Sequence, residues 1–473
     1  MENKKEEYIL PSGRVIIQSN RSPITRDNIL DVVGEANAIF LTNLAEIEYL
    51  LNYYKGIQPI LYREKVYHEE INNKVVENHA REIVSFKVGY LLWKPIEFVA
   101  RKDKSVVPQI EELNDYFVLE DKTEQDKKVA KFQSICGTAY KLGLANKNYI
   151  NDSKNEAPFK SYVVDPRNAF VVYSADFKRE AVLGVIVDKV YDEKGELKLR
   201  FQAYTKDTFY EIIDMVITKE EPHTYGQIPL VEYPLNEERI GDFEQVLSLL
   251  DCINAVASNR LDAIEEFVQA LMVFENVDIK EEEIKKLKEL GAIKIKDANK
   301  ELKANVRYLT QELNQTQVQT LVNYMYSIVL KIVGMPSQSD GNTSDSSNNG
   351  AVILKNGWQG ADARASETEV IFKSSERKFL KHILNICKTM TENKISLSPV
   401  DIDIKFTRRN YENLYQKAQV LDLMLRNDKV APELAFQICG LFTDSEEAFT
   451  KSQEYYEQVK KESKELIENG KSQ

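Results

Sequence analysis

The sequence is short of the residues that usually announce catalysis. Among 473 residues there are four cysteines and four histidines. Cys136, Cys252, Cys387 and Cys439 lie far apart and form no CxxC pair, which excludes a zinc ribbon or a thioredoxin-type motif. Isolated thiols of this kind fit a reducing compartment. His68, His79, His223 and His382 are isolated as well, and Glu82 near His79 reads as an ordinary surface pair. No GxxxxGK[ST] loop is present to cradle nucleotide phosphates, and neither GxSxG nor HExxH occurs. No run reaches the ~18 apolar residues of a membrane span, and the first residues lead into no apolar stretch of the kind a secretory signal needs. Basic residues are outnumbered, 63 Lys and Arg against 75 Asp and Glu, for a net charge of −12. A protein that coats DNA or reads its bases holds phosphate with clustered cations, so this balance excludes an ordinary DNA-binding factor.

What is present is a folded-protein composition, 43% hydrophobic and 29% charged, in a chain long enough for about three domains of ~150 residues. Residues 1–25 are polar, with a strand-like Arg14-Val15-Ile16-Ile17, and are expected as a peripheral arm. Apolar residues then recur at helical spacing over 26–51, 73–91, 106–119 and 126–148, with a short strand at 96–100. From 160 to 232 the period changes to two, and β-branched and aromatic residues predict strands near 162–164, 170–173, 182–187, 197–204 and 208–213. Gly195 marks a hairpin turn. A proline-pinned connector, 223–234, precedes a striped helix predicted over 242–272, roughly 45 Å long at ~1.5 Å per residue. A helix of that length with one apolar stripe must lie against something equally long. A small charged module fills 273–312.

The chain is organised about residues 314–393. A helix from Thr316 to Val333 stops at Gly334-Met335-Pro336, where glycine permits a left-handed cap and proline cannot continue a helix. The next fourteen positions, Ser337 to Gly350, contain no residue able to anchor a core. A long helix is predicted from Ala351 to Asn393, kinked where Gly357 and Gly360 flank Trp358. A late strand covers 401–406, and 410–468 is helical and charged, broken at Val430-Ala431-Pro432 and at 439–444. By itself this is a surface loop between two core helices. Asp401 and Asp403, on one face of a strand, leave open a second reading as ligands of a metal-dependent nucleic-acid-processing enzyme, although no third acid stands nearby.

Four segments carry a resemblance. Tyr54-Lys55-Gly56-Ile57-Gln58-Pro59-Ile60 resembles the Y-x-G-x-x-P-I segment of the portal proteins of tailed bacteriophages, particularly of long-tailed phages of Gram-positive hosts. Residues 72–95, with Asn78, Ile83-Val84, Lys87, Gly89-Tyr90-Leu91 and Pro95, are similar to a second family pattern, with Trp93 in place of its usual small residue. Gly226 to Tyr233 and Gly241 to Asp251 resemble the approach to the family's first stem helix.

The resemblance implies a predominantly helical α+β portal-like fold. Its parts would be a mixed α/β wing (1–235), a stem helix (236–272), a small α/β clip (273–313), a second stem helix (314–336), a tunnel loop (337–350), a kinked wing helix with a returning strand (351–408) and a helical crown with a polar tail (409–473). It implies a ring homo-oligomer, a dodecamer in the family, at one capsid vertex of the virion and assembled in the host cytoplasm. Double-stranded DNA would pass through it without sequence readout, and terminase large subunit, head-completion or adaptor protein, major capsid protein and scaffolding protein would be its partners. No cofactor, metal, catalytic residue or membrane is implied. The DNA-facing loop residues would be Ser337, Gln338, Ser339, Asp340, Asn342, Thr343, Ser344, Asp345, Asn348 and Asn349, flanked by Lys331 and Lys355. Short polar side chains make exchangeable contacts to backbone oxygens, and Asp242, Glu244, Asp251, Asp262, Glu265 and Glu266 are expected to form acidic walls that weaken adhesion. A ring scaffold unrelated to DNA is the remaining alternative.

Overall fold

In a computed structural model, the described residues are 13–66, 69–101, 104–150, 155–191, 195–268, 271–275, 305–309, 315–336, 358–392, 394–407, 414–442 and 445–470. They fold as two units, one comprising Met1–Leu51, Glu82–Glu244 and Val333–Gln473, the other Asn52–Arg81 and Gln245–Ile332.

The first unit is layered, and strand alternation builds the layers. A six-stranded sheet runs in the order β1 (Gln18–Ser19), β5 (Ala169–Ser174), β6 (Ala181–Tyr191), β7 (Leu197–Tyr204), β8 (Thr208–Ile213), β9 (Val216–Pro222). It is antiparallel except for the parallel β1–β5 pair. Phe170, Val172, Leu183, Val185, Phe201 and Ile212 point to one face, where they meet Ile29, Val32, Val33 and Phe40 of helix α1 (Ile29–Lys55). Ala169 and Val171, one register position away, point to the other face. There they pack on Tyr140, Leu142 and Leu230 of a three-stranded sheet, β10 (Leu230–Pro234), β3 (Thr138–Ala145) and β4 (Phe159–Val164). The far side of that small sheet, with Ala139, Phe159, Val231 and Tyr233, joins the largest core. Helices α3 (Val107–Leu119), α4 (Lys122–Cys136) and α7 (Trp358–Met390) close it, with the paired strands β2 (Glu97–Ala100) and β13 (Ile402–Lys405). Helices α8 (Leu414–Leu425), α9 (Pro432–Cys439) and α10 (Ser445–Gly470) follow, separated at the two breaks predicted.

Two expectations for this unit fail. Residues 13–19 are not a peripheral arm: Arg14, Ile17 and Ser19 are buried. The Val15 backbone exchanges two hydrogen bonds with the Asn43 side chain, at 2.8 and 2.9 Å, and β1 completes a sheet edge that would otherwise leave strand groups unpaired. The helix predicted over 126–148 ends at Cys136. Gly137 takes a φ of 75°, and a Cβ there would lie 1.9 Å from the Arg239 carbonyl oxygen. Only glycine allows that backbone approach, and beyond it the chain continues as strand β3. The connector 223–234 likewise gains a ladder, because β10 pairs with β3.

In the second unit, helices α5 (Leu247–Val268) and α6 (Gln315–Val333, through Ile332) are joined by the residues 52–81 and by an antiparallel pair, β11 (Leu271–Glu275) with β12 (Asn305–Leu309). The helix predicted from residue 73 begins instead at His79 as α2 (His79–Leu91). Residues 73–77 are extended, and their backbone donors are met by one face of α5. Asn73 N–H donates to Asp262 (2.7 Å), Val75 N–H to Ser258 (3.0 Å) and Glu77 N–H to Asn254 (2.8 Å). The match is geometric: two residues of extended chain advance ~6.6 Å and four of helix ~6 Å. Side chains four apart on a helix can therefore replace the neighbouring strand that these N–H groups would otherwise need.

Candidate site at the flanks of the polar loop

The predicted loop residues from Ser337 to Asn349, together with Lys355 and Gly357, lie outside the described residues. Their two flanks are described, and each is anchored. Helix α6 ends with the exposed Lys331 in its last turn, where a cation suits the negative end of the helix dipole. Gly334 caps it at φ 68°; a Cβ there would approach Arg364 Cγ of α7 to 2.8 Å, so this flank lies directly against the first turns of that helix. Met335, the next residue, is buried. Helix α7 starts at Trp358, whose indole sits 6.0 Å from the Phe86 ring and 6.1 Å from Tyr90, the latter two stacked on one another. Trp358 and Gly360 thus occupy the first turn of α7, and the part of the predicted kinked helix before Trp358 falls outside the described residues.

Further along, α7 is fixed by a buried charge centre. Phe372, Phe379 and Ile383 form its apolar face, and Glu376 stands among them, fully buried. Lys122 of α4 lies 3.0 Å from Glu376, Lys141 of β3 lies 3.9 Å away, and the Tyr233 hydroxyl of β10 donates to it at 2.6 Å. Asp126 pairs with both lysines, so two cations face two anions. Burial by itself would raise the Glu376 carboxyl; the two lysines and the tyrosine outweigh it and hold it at about 2. One turn and a half on, the His382 Nε2–H donates to the Gly143 carbonyl at 2.8 Å, and burial pushes its imidazole down to about 4.

The acids expected to wall a channel are mostly spent inside the protein. Asp242 accepts from the Ser134 hydroxyl at 2.6 Å, and burial raises its carboxyl despite Lys87 at 3.9 Å. Glu244 accepts from the Gly241 N–H at 2.7 Å and pairs with Arg14, whose guanidinium also reaches Glu46 (2.8 Å) and the Cys136 carbonyl (3.0 Å). Asp251 accepts from the Tyr53 hydroxyl at 2.8 Å, and burial raises it too. Asp262 is buried against Asn73, Arg63 and Lys65. Glu244 and Asp262 are buried and ion-paired, and Asp242 and Asp251 are partly covered and hydrogen-bonded, so these carboxylates repel DNA less than exposed ones would. Only Glu265 and Glu266 of the six stay exposed.

The acidic pair of the enzyme alternative is also engaged by backbone: Asp401 accepts from the Ser398 N–H at 2.8 Å and Asp403 from the Ile404 N–H at 3.0 Å. Among the described residues no group of three or more His, Cys, Asp or Glu is arranged to hold a metal ion, and no helix is long and apolar enough to cross a membrane. Sequence reasoning missed Arg14, Glu376 and the Asn254–Ser258–Asp262 stripe. The last two had a signal: a charged residue at core spacing, and polar residues repeating every four positions along a helix.

Comparisons with known proteins place the chain in a family. A family model described as "Phage portal protein, SPP1 Gp6-like" matches residues 35–468. The portal protein of Bacillus phage SPP1 is 24% identical over 231 residues, which cover 44% of this chain and 42% of that protein, so the similarity spans less than half of the relative's length. With a family match across nearly its whole described length, the chain belongs to the SPP1 Gp6-like family of phage portal proteins.

Proposed function

We propose that the chain is the repeating subunit of a ring-shaped channel at one capsid vertex, through which double-stranded DNA is packaged and later ejected. The family match over residues 35–468 carries this reading, and the family is structural rather than enzymatic. Residues 1–235 and 351–408 are the wing, α5 and α6 the stem, 273–313 the clip that terminase and then head-completion proteins dock on, 337–350 the DNA-facing tunnel loop with Lys331 at its flank, and 409–473 the crown. Capsid and scaffolding proteins surround the ring in the virion.

The anchored flanks suit this role. A loop that meets moving DNA transmits force to its ends. One end packs close to Arg364 at Gly334, and the other packs through Trp358 on an aromatic pair of α2, on a helix whose later turns hold a buried charge centre. On this reading low adhesion comes from the uncharged Ser, Asn, Thr and Gly of the loop and from Asp340 and Asp345; the burial of Glu244 and Asp262 and the partial burial of Asp242 and Asp251 support it over an acidic stem. Electron microscopy of the purified protein, with its mass measured in solution, tests the reading. Rings with a central hole near twelvefold symmetry are expected; a compact small oligomer without a channel overturns it. Deleting residues 339–349 should leave rings intact and abolish DNA retention, whereas retained packaging would favour a scaffold unrelated to DNA.

A further inference from the structure

A cavity of about 410 Å3 lies between α2, α4 and the first turns of α7, and its lining residues all belong to the first unit. Two cations line it, Lys87 of α2 and Arg364 of α7. Among the described residues, the carboxylate within 4 Å of the Lys87 ammonium is Asp242, at 3.9 Å, beyond hydrogen-bond distance. Burial and the neighbouring Arg364 lower this ammonium more than Asp242 and Glu367 raise it. Arg364 is exposed at the mouth and forms no ion pair among the described residues. Two acceptors line the same cavity. Gln133 of α4 is 1% exposed, and its Nε2 donates to the Pro234 carbonyl at 3.1 Å. That bond fixes the orientation of the amide, so the atom left over is an acceptor: Oε1 is buried with no hydrogen-bond partner among the described residues. Asp242 takes the Ser134 hydroxyl on Oδ2, and its Oδ1 is the atom facing Lys87 at 3.9 Å.

We infer that this cavity binds inorganic phosphate as the hydrogenphosphate ion, with its ionised oxygens on Lys87 and Arg364 and its P–OH given to Gln133 and Asp242. Two weakly answered cations call for an anion. Two acceptors, one of them buried and unpartnered, call for an anion that also carries a proton to donate. Few anions meet both demands near neutral pH. Sulfate and the phosphodiesters of DNA accept hydrogen bonds but have no proton to give. A phosphate monoester, with its second pKa near ~6, has lost its own by pH 7.5. Free phosphate still keeps one P–OH there. Bicarbonate keeps a proton too, but brings a single charge to two cations. A water molecule would answer Gln133 and leave Lys87 and Arg364 as they are. The site is thus separate from any contact with the DNA backbone, which the same acceptors reject. It also touches the polar loop's anchorage, because Arg364 is the side chain against which Gly334 packs.

The test is calorimetric titration of the full-length chain near pH 7.5 with sodium phosphate, sodium sulfate, sodium bicarbonate and phenyl phosphate. Phosphate should saturate one site per chain and bind at least ~tenfold more tightly than the other three, because a site built around a hydrogen bond rejects analogues that lack it. Arg364→Gln alters an exposed side chain, so the tryptophan unfolding transition should stay where it is while phosphate affinity falls about tenfold through loss of a charge-assisted bond. Asp242→Asn replaces an acceptor that repels sulfate with an amide that can donate, and should bring sulfate to within about threefold of phosphate. If Asp242→Asn does not fold, Arg364→Gln still decides the matter. A folded wild type with no saturable phosphate binding overturns the inference. Equal binding of sulfate overturns it too, since an unselective cation patch would behave that way. Phosphate affinity untouched by Arg364→Gln places the ion elsewhere and overturns it as well. The ring reading does not depend on any of these outcomes, because particle images test it independently.

Discussion

Helices α7 and α6 face the same problem, how a long amphipathic element finds a partner, and the two units resolve it with opposite materials. Helix α7 sinks Phe372, Phe379 and Ile383 completely and places Glu376 in the same core, matched to Lys122 and Lys141. Helix α6 leaves Leu321 and Tyr324 half exposed, and α5 does the same with Leu261 and Ile264. Exposing apolar surface at ~25 cal/mol per Å2 is costly unless something covers it. Burying charges is costly unless every one has a partner. The first unit therefore pairs its buried charges within one chain, and the second leaves apolar helix surface exposed.

The sharpest way to break this contrast is to unbalance the charge centre. Glu376→Ala leaves Lys122 and Lys141 facing a single buried carboxylate. Removing one partner from a buried ionic cluster costs about 3–5 kcal/mol, because the remaining charge is stranded. Both tryptophans, Trp93 and Trp358, belong to the first unit, so their fluorescence in a denaturant titration reads this loss directly. A charge variant on exposed side chains of α6, Leu321→Glu/Tyr324→Glu, should leave the same transition within ~0.5 kcal/mol. If both variants shift the tryptophan transition equally, the division of labour between the units is wrong.

Acid provides a somewhat smaller perturbation of the same unit. The imidazole of His382 titrates at about 4 in the folded protein against 6.5 for a free histidine, because burial disfavours its charged form. A folded pKa below the unfolded one means that the unfolded state takes up the proton first. The stabilising contribution is thus complete above pH 6.5 and drains away as pH falls toward 4, by roughly 3 kcal/mol in all. Glu376, depressed from 4.5 to about 2, extends the decline below pH 4.5. Denaturant midpoints measured between pH 7 and pH 4 should fall steadily, and His382→Gln should flatten the upper part of that fall. A midpoint independent of pH over this range would show that His382 is not held neutral by burial.

How far the sequence announces all this depends on the range of the interaction. The C-terminal helices and their two breaks follow from local punctuation, Pro432 at the start of α9 and Gly440 at its end, and they appear where predicted. So does the alternation of β7 and β8, because one face of each strand is buried against a single layer. The failures are all non-local. Residues 138–145 carry Tyr, Leu and Ala in an order that a helix would also accept, and only the contact of Gly137 with Arg239 turns the chain into a strand. Residues 73–78 read as a helix because the partner of their backbone lies on a helix far along the chain. Acidic residues look the same in a sequence whether they face solvent or Arg14, and so Glu244 reads as part of a wall it does not reach.

The Ser258 rung of the ladder along α5 is the gentlest test of the comparison, since the serine is uncharged and lies away from the exposed apolar side chains of α6. The Ser258 hydroxyl accepts from the Val75 N–H and donates to the Asn254 carbonyl at 2.8 Å. Ser258→Ala removes the acceptor and leaves the Val75 N–H as a backbone donor for which no neighbouring strand supplies a replacement acceptor. A neutral hydrogen bond of this kind contributes about 1 kcal/mol. The tryptophans cannot sense it, because neither lies in the second unit, so hydrogen exchange is the measurement. Exchange at residues 73–77 should quicken by roughly fivefold, the local equivalent of that energy, with the tryptophan transition unmoved. If α5 instead holds the segment through Asp262 alone, Ser258→Ala will leave the exchange of Val75 unchanged while Asp262→Ala frees the whole stretch, and the segment would then depend on one ion cluster rather than on a matched helix face.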